Sequence, residues 1–177
     1  LTGGPLGPGD NGYVGIASEV LANQNDYSAQ LWFRPGIDSN LYNDYLLHRG
    51  DGGSQMGDYL GVASPGTGGE YTNLLFYGGD NIASTHGSTQ LVAMVRQGDN
   101  VMVYLNGQPE IATTRTPTDD FSAGRWAFGG RADRPEQQKF TGNLDEISLY
   151  GRPLSTFHVQ ASYLSALPRD RCDYSDA

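Results

Sequence analysis

Apolar residues recur at every second position along most of this chain, the period of a strand with one buried face. In Tyr27-Ser28-Ala29-Gln30-Leu31-Trp32-Phe33-Arg34, residues Tyr27, Ala29, Leu31 and Phe33 share one face, which leaves Trp32 on the polar side beside Gln30 and Arg34. Leu91, Ala93 and Val95 repeat the pattern, and Val101-Met102-Val103-Tyr104-Leu105 follows a Gly98-Asp99-Asn100 turn. Asn106-Gly107 closes the next hairpin, because this dipeptide tolerates the positive φ angles of a type I′ turn. Three consecutive antiparallel strands are therefore predicted over 90–97, 101–105 and about 109–114. Further strands are expected over 13–16, 27–34, 45–49, 59–63, 73–77, 125–129 and 143–150, with Gly/Asp/Asn/Ser loops at 50–57, 64–70 and 78–88. One helix is predicted over 156–165, capped by Ser155, with Phe157, Ala161 and Leu164 as its apolar stripe. Many short strands with regular turns predict an all-β sandwich, a single domain over 11–167 between a Gly/Pro-rich linker (1–10) and a charged tail (168–177).

Composition narrows the functions open to such a domain. The chain has 177 residues and a net charge of −9, from 11 Lys+Arg against 20 Asp+Glu. Phosphate backbones require a basic face, so a nucleic-acid partner is not expected. Lys139 is the single lysine, which leaves no Lys cluster for anionic lipid, and no apolar run approaches the roughly 20 residues of a spanning helix. Leu1 opens no signal peptide, and a chain beginning there is expected to be a mature or excised piece of a larger parent. One cysteine, Cys172, makes no internal disulfide and no Cys-rich zinc site; it could be half of a bridge to another segment or a free thiol.

The order of motifs resembles a known family. The strand from Tyr27 to Pro35 is similar to the opening strand of laminin G-like jelly rolls of the concanavalin A-like lectin/glucanase superfamily. Leu46-Leu47-His48-Arg49-Gly50 resembles that family's next strand, and 91–96 followed by Val101-Met102-Val103-Tyr104-Leu105-Asn106-Gly107 its central hairpin. Phe128-Gly129-Gly130, the segment from Phe140 to Tyr150 and Arg152-Pro153-Leu154-Ser155 resemble its closing stretch. The resemblance covers about residues 13 to 166. It implies a jelly-roll β-sandwich of two antiparallel sheets, each of six or seven strands, one concave and one convex, with one short C-terminal helix. It does not by itself assign a function, because the fold hosts lectins, adhesion modules, hydrolases, lyases and spacers.

Retaining glycan hydrolases of this superfamily carry their carboxylates on one strand at E-x-D-x-E or E-x-D-x-x-E spacing, which brings a nucleophile and an acid/base about 5 Å apart. The glutamates here are Glu19, Glu70, Glu110, Glu136 and Glu146, and no two lie within five residues of each other. Asp145 and Glu146 are adjacent and should point to opposite sheet faces. The lyases of this fold combine His, Tyr, Gln and Arg on the concave sheet; His48, His86 and His158 sit in no such motif. A non-enzymatic domain is expected.

Asp145 is the most informative carboxylate. Strict alternation puts it on the same face as Ile147 and Leu149, where an ionised group needs a cation or several donors. Many members of the superfamily hold Ca²⁺ near the last strand and the N-terminal segment, so the resemblance implies a calcium at Asp145 with Asp10 and carbonyls near 10–13 or 40–43. Calcium takes six to eight oxygens, which Gly-rich loops can supply. Otherwise Asp145 accepts hydrogen bonds from backbone amides. Loop acids (Asp51 with Asp58, Asp80 with Asn81, Asp99 with Asn100, Asp119 with Asp120) offer a rim site or a solvated face. Sugar rings stack on aromatic faces while their hydroxyls bond amides, carboxylates and guanidinium groups. The candidate ligand-binding residues are accordingly Trp32, Tyr77, Asp80, Asn81, Trp126 and Arg131, although such aromatics equally serve a core. Arg49-Gly50-Asp51 spells a tripeptide that integrins recognise, a short motif that also arises by chance. The expectation is an extracellular or cell-surface binding module for carbohydrate, with Ca²⁺; the alternative is a structural or protein-interaction domain of a larger surface assembly.

Overall fold

The computed structural model describes residues 14–16, 20–21, 24–36, 44–50, 57–63, 73–76, 80–83 (backbone), 88–115, 126–131 and 139–167. In chain order its elements are β1 (Val14–Ile16), β2 (Asp26–Pro35), β3 (Asp44–Arg49), β4 (Tyr59–Ala63), β5 (Asn73–Phe76), β6 (Asp80–Ala83), β7 (Gln90–Gln97), β8 (Asn100–Leu105), β9 (Gln108–Thr114), β10 (Trp126–Phe128), β11 (Gly142–Tyr150) and α1 (Thr156–Ala166). The linker 1–10, the tail 168–177 and Cys172 lie outside the described residues.

The strands form two antiparallel sheets, one of six in the order β1-β10-β3-β4-β5-β6 and one of five in the order β11-β2-β7-β8-β9. Among the described residues the second sheet thus has one strand fewer than the resemblance implies. The period-two faces meet between the sheets: Tyr27, Ala29, Leu31 and Phe33 of β2 pack with Val92, Met94, Val101 and Val103, and against Leu47, Leu60, Val62, Phe76, Trp126 and Phe128 of the other sheet. The β7–β8–β9 meander follows its turn chemistry, with Gly98 at φ 57°, Asn106 at 51° and Gly107 at 79°, the left-handed values that Gly and Asn adopt at least cost.

Three local expectations differ from the structure. Residues 80–83 form a strand rather than part of a loop: β6 pairs with β5, Phe76 opposite Asp80 and Leu75 opposite Asn81. It is an edge strand, so it needs no apolar alternation to be held, and its polar sequence hides it. Within β11, the pairing with β2 shifts between Asp145 and Ser148, and Glu146 takes φ 47°. This bulge breaks the alternation. Leu144, Ile147 and Leu149 all reach the core, whereas Asp145 is exposed and shares no face with Ile147 or Leu149. Finally, α1 buries Val159 and leaves Phe157 (73% exposed) and Leu164 (62%) to solvent, so the predicted stripe is the outward one. The docked face is chosen by what the sheet offers, since Val159 packs with Ala93, Val95 and Tyr104.

Candidate functional site

Side chains of the five-stranded sheet that point away from the core form rows across its strands. The register places Asp145 opposite Trp32 and Trp32 opposite Leu91, then Ser148, Gln30, Ala93 and Tyr104 in the next row, and Tyr150, Ser28, Val95, Met102 and Ala112 beyond it. The middle of this face is covered by the chain after β11. Leu154 and Val159 pack on Ala93, Val95 and Tyr104. Ser28 Oγ donates to the Arg152 carbonyl at 3.0 Å and accepts from the Leu154 N–H at 2.8 Å. Tyr104 Oη and Thr156 Oγ1 are 3.0 Å apart.

Ser155 caps α1 as its sequence predicts, its Oγ accepting the His158 N–H at 3.4 Å. A Cβ on Gly107 would lie 3.2 Å from Gln160 Cα, so the helix rests directly on the β8–β9 turn.

This covering layer builds the candidate site at its margin. Tyr163 of α1 stacks on Trp32, with ring centroids 6.0 Å apart at 24°. The indole remains half-buried rather than sealed, and the exposed Asp145 stands beside it. Asp145 Oδ1 accepts the Glu146 N–H at 2.8 Å, the backbone-amide role that the sequence allowed. Asn143 and Arg34, paired across the same two strands, are exposed at the next row. An aromatic face bordered by carboxylate, amide and guanidinium groups can take an amphipathic ring with hydroxyls at its rim. Tyr163, on the helix, was not among the sequence candidates, because no local pattern links it to Trp32.

The other candidates are dispersed. Trp126 lies in the core rather than on an exposed face: it is 1% exposed, stands edge-on to Tyr27 at 5.1 Å and donates its Nε1–H to the Val20 carbonyl at 3.0 Å. Its strand, β10, is held between β1 and β3, which turns the indole into the core. Arg131 is buried, its guanidinium 5.8 Å from the Tyr45 ring centre. Tyr45 in turn packs against Tyr59 at 4.8 Å and His48 at 5.7 Å. These groups lie on the side of the six-stranded sheet away from the core, since Leu47, Leu60 and Val62 take the core side. Asp80 and Asn81 lie on β6; Asp10 and Tyr77 lie outside the described residues.

Asp58, expected as a loop acid, is instead a core residue. Its carboxylate receives Arg96 Nε and Nη2, each at 2.6 Å, and the Tyr27 hydroxyl donates to the same group. Burial, then the Asp58 charge, pushes the Tyr27 phenol well above its ordinary value. Burial works against the charge on Arg96, but hydrogen bonding and attraction to Asp58 outweigh it and raise that guanidinium. Arg49 is also fully buried. It lies over the rings of Tyr27 (4.4 Å) and Trp126 (5.1 Å) and donates to the Leu21 and Gln24 carbonyls at 2.7 and 2.8 Å, and burial lowers its pKa. An arginine held this way cannot serve an exposed Arg-Gly-Asp tip. The signal for Arg96 was its phase, since it falls in step with Val92 and Met94 on the core face.

The comparisons agree with this architecture. A laminin G family model, described as the concanavalin A-like lectin/glucanases superfamily, matches residues 8–160, and the chain belongs to that superfamily. No curated protein matches the sequence. Among solved structures, domain 4 of a GH43 extracellular arabinanase from Geobacillus stearothermophilus, in complex with arabinotriose, is similar at 20% identity and TM-score 0.54, over 77% of this chain and 66% of that one. Trypanosoma rangeli sialidase in complex with sialic acid is similar at 14% identity and TM-score 0.60, over 79% of this chain and 23% of that one. A botulinum neurotoxin type C structure, whose cell entry depends on interaction with two ganglioside molecules, is similar at 13% identity and TM-score 0.57, over 86% of this chain and 39% of that one. The chain thus spans less than two thirds of each of these three. At such identities the likeness is one of fold. No described helix is long and apolar enough to cross a membrane.

Proposed function

We propose that this member of the concanavalin A-like superfamily is a non-catalytic carbohydrate-binding module of a larger extracellular or cell-surface protein. The observation that carries the reading is the half-exposed Trp32 indole, braced by Tyr163 and paired across the sheet with the exposed carboxylate of Asp145. Trp32 offers the stacking face, and Asp145, Asn143 and Arg34 offer hydrogen bonds to ring hydroxyls. Two of the related structures contain sugar, arabinotriose and sialic acid, and a third is a toxin that interacts with gangliosides. The lack of closely spaced glutamates in the sequence supports binding without turnover.

Calcium belongs to the same proposal, as a structural or ligand-bridging ion. Asp145 would supply one carboxylate oxygen, since its Oδ1 is already engaged by the Glu146 amide. Among the described residues no three His, Cys, Asp or Glu side chains gather, so the fit there is limited to that single oxygen, and Asp10 and loop carbonyls would have to complete the shell.

A second reading, a protein-interaction module, is favoured by the exposed Phe157 and Leu164 on α1.

Titration of oligosaccharides against tryptophan fluorescence, once in Ca²⁺ and once in EDTA, tests the first reading. Trp126 is sealed in the core, so a shifted emission reports Trp32. A saturable shift weakened by Asn143→Ala, which leaves the indole in place, supports the module. A flat response across neutral and acidic glycans, in both buffers, overturns it in favour of protein interaction.

A further inference from the structure

The covering layer that frames Trp32 leaves the opposite end of the same face open. Beyond Leu154 and Val159, two rows of side chains run to the edge strand β9: Val95, Met102 and Ala112, then Gln97, Asn100 and Thr114. Together they line an open groove of about 610 Å³, a volume within the range of small-ligand clefts.

Its chemistry is divided in two. Met102 and Ala112, with the margin of the buried Val95, make an apolar floor. Gln97, Asn100 and Thr114 make a ridge of amides and a hydroxyl, at the exposed end of the sheet. Thr114 Oγ1 donates to Asn100 Oδ1 at 3.3 Å, which fixes the Asn100 amide with its NH₂ directed elsewhere. Among the described residues the Asn100 NH₂ and the whole Gln97 amide carry no hydrogen bond, so their capacity is open to a ligand. No charged side chain lines the groove among the described residues, in a protein with a net charge of −9.

We propose that this groove is a second carbohydrate contact, separate from Trp32, that selects uncharged sugar residues. The proposal rests on the carbohydrate-binding reading and deepens it by naming a ligand class. A neutral ring presents C–H bonds on one face and hydroxyls around its edge, which complements the floor and the ridge respectively. A sugar carboxylate would find no cation here and would lose part of its hydration without compensation. Val95 lies four residues along β7 from Leu91, the partner of Trp32, which sets the two contacts about 13 Å apart along the strand direction, with Leu154 between them.

The test is amide and side-chain NMR of the ¹⁵N-labelled domain with neutral trisaccharides of arabinose, xylose, glucose, mannose and galactose, and with trigalacturonic acid, which carries a carboxylate on every ring, as the charged probe. The expected result is saturable movement of the Gln97 and Asn100 NH₂ resonances by at least one neutral probe and none by trigalacturonic acid. Q97A/N100A should weaken that binding by about tenfold, two hydrogen bonds being lost, with the melting temperature unchanged. Met102→Glu, which charges the half-exposed floor, should abolish it. Movement confined to resonances around Trp32 and Tyr163 overturns the groove and leaves the carbohydrate-binding module standing. Silence at Gln97 and Asn100 for all neutral probes overturns it equally, as does equal movement by trigalacturonic acid.

Discussion

Arg96 and Asp58 form a two-point ion pair inside the core, with Nε and Nη2 each 2.6 Å from a carboxylate oxygen. Arg96 belongs to the five-stranded sheet and Asp58 precedes the first residue of β4 in the six-stranded one, so the pair ties the two layers together at one end of the sandwich. Arg96 also donates to the carbonyls of Gly98 (2.8 Å) and Arg115 (3.0 Å), which holds the turn after β7. Removing one partner leaves the other charge buried and alone. Asp58→Ala should therefore cost about 3–5 kcal/mol in urea unfolding. The double variant Asp58→Leu with Arg96→Met should cost less than the sum of the two single changes; additive losses would show that the two groups are not coupled.

The Tyr27 phenol donates to this carboxylate, and burial keeps its proton on. Its folded pKa lies above the unfolded value of about 10, so the native state retains a proton that the unfolded chain releases. The corresponding stability is present in full below pH 10 and declines as pH rises toward the folded pKa. Melting temperature measured from pH 8 to pH 11.5 should fall through the upper part of that range, and Tyr27→Phe should flatten the fall.

Asp145 separates two roles in one side chain. Asp145→Asn keeps the oxygen that accepts the Glu146 amide but removes the charge a cation needs. If calcium binds here, Ca²⁺ should raise the melting temperature of the parent protein over its EDTA value and should not raise that of Asp145→Asn. Equal responses of the two proteins, with equal bound calcium, would assign the ion elsewhere.

On α1 the buried and exposed apolar residues should behave oppositely. Val159→Ala removes two methyl groups from full burial and should cost about 2 kcal/mol. Ser155→Ala should cost about 1 kcal/mol through the lost cap, and Phe157→Ser should stay within about 0.5 kcal/mol. A large loss for Phe157→Ser in the isolated domain would mean that its ring is packed in solution.

Gly57 sits where the chain enters β4. A Cβ there would lie 1.8 Å from the Arg49 carbonyl oxygen, the residue whose N–H donates to the Asp58 carbonyl at 2.8 Å. Gly57→Ala must push β3 and β4 apart beside the ion pair, and a loss of about 2–3 kcal/mol is expected. An unchanged denaturation midpoint would contradict the close approach.

What the sequence alone determined about this protein is local. Period two made the strands, Gly98 and Asn106-Gly107 made the turns of the β7–β9 meander, and Ser155 started the helix, because each depends on residues within a few positions of one another. The polar side of β2 was legible for the same reason, and with it Trp32. Which groups meet across the fold was decided only by the tertiary structure. A single bulge at Glu146 turned Asp145 from the core to solvent, and pairing of β10 between β1 and β3 turned Trp126 inward. The helix could have docked by either side; the small and flat surface of Ala93 and Val95, with Tyr104 beside it, accepted Val159 and left Phe157 outside. Asp58 found Arg96 at a separation of 38 residues. Burying a charge is tolerable only once its partner is in place, and no local pattern in the chain carries the position of a partner that distant.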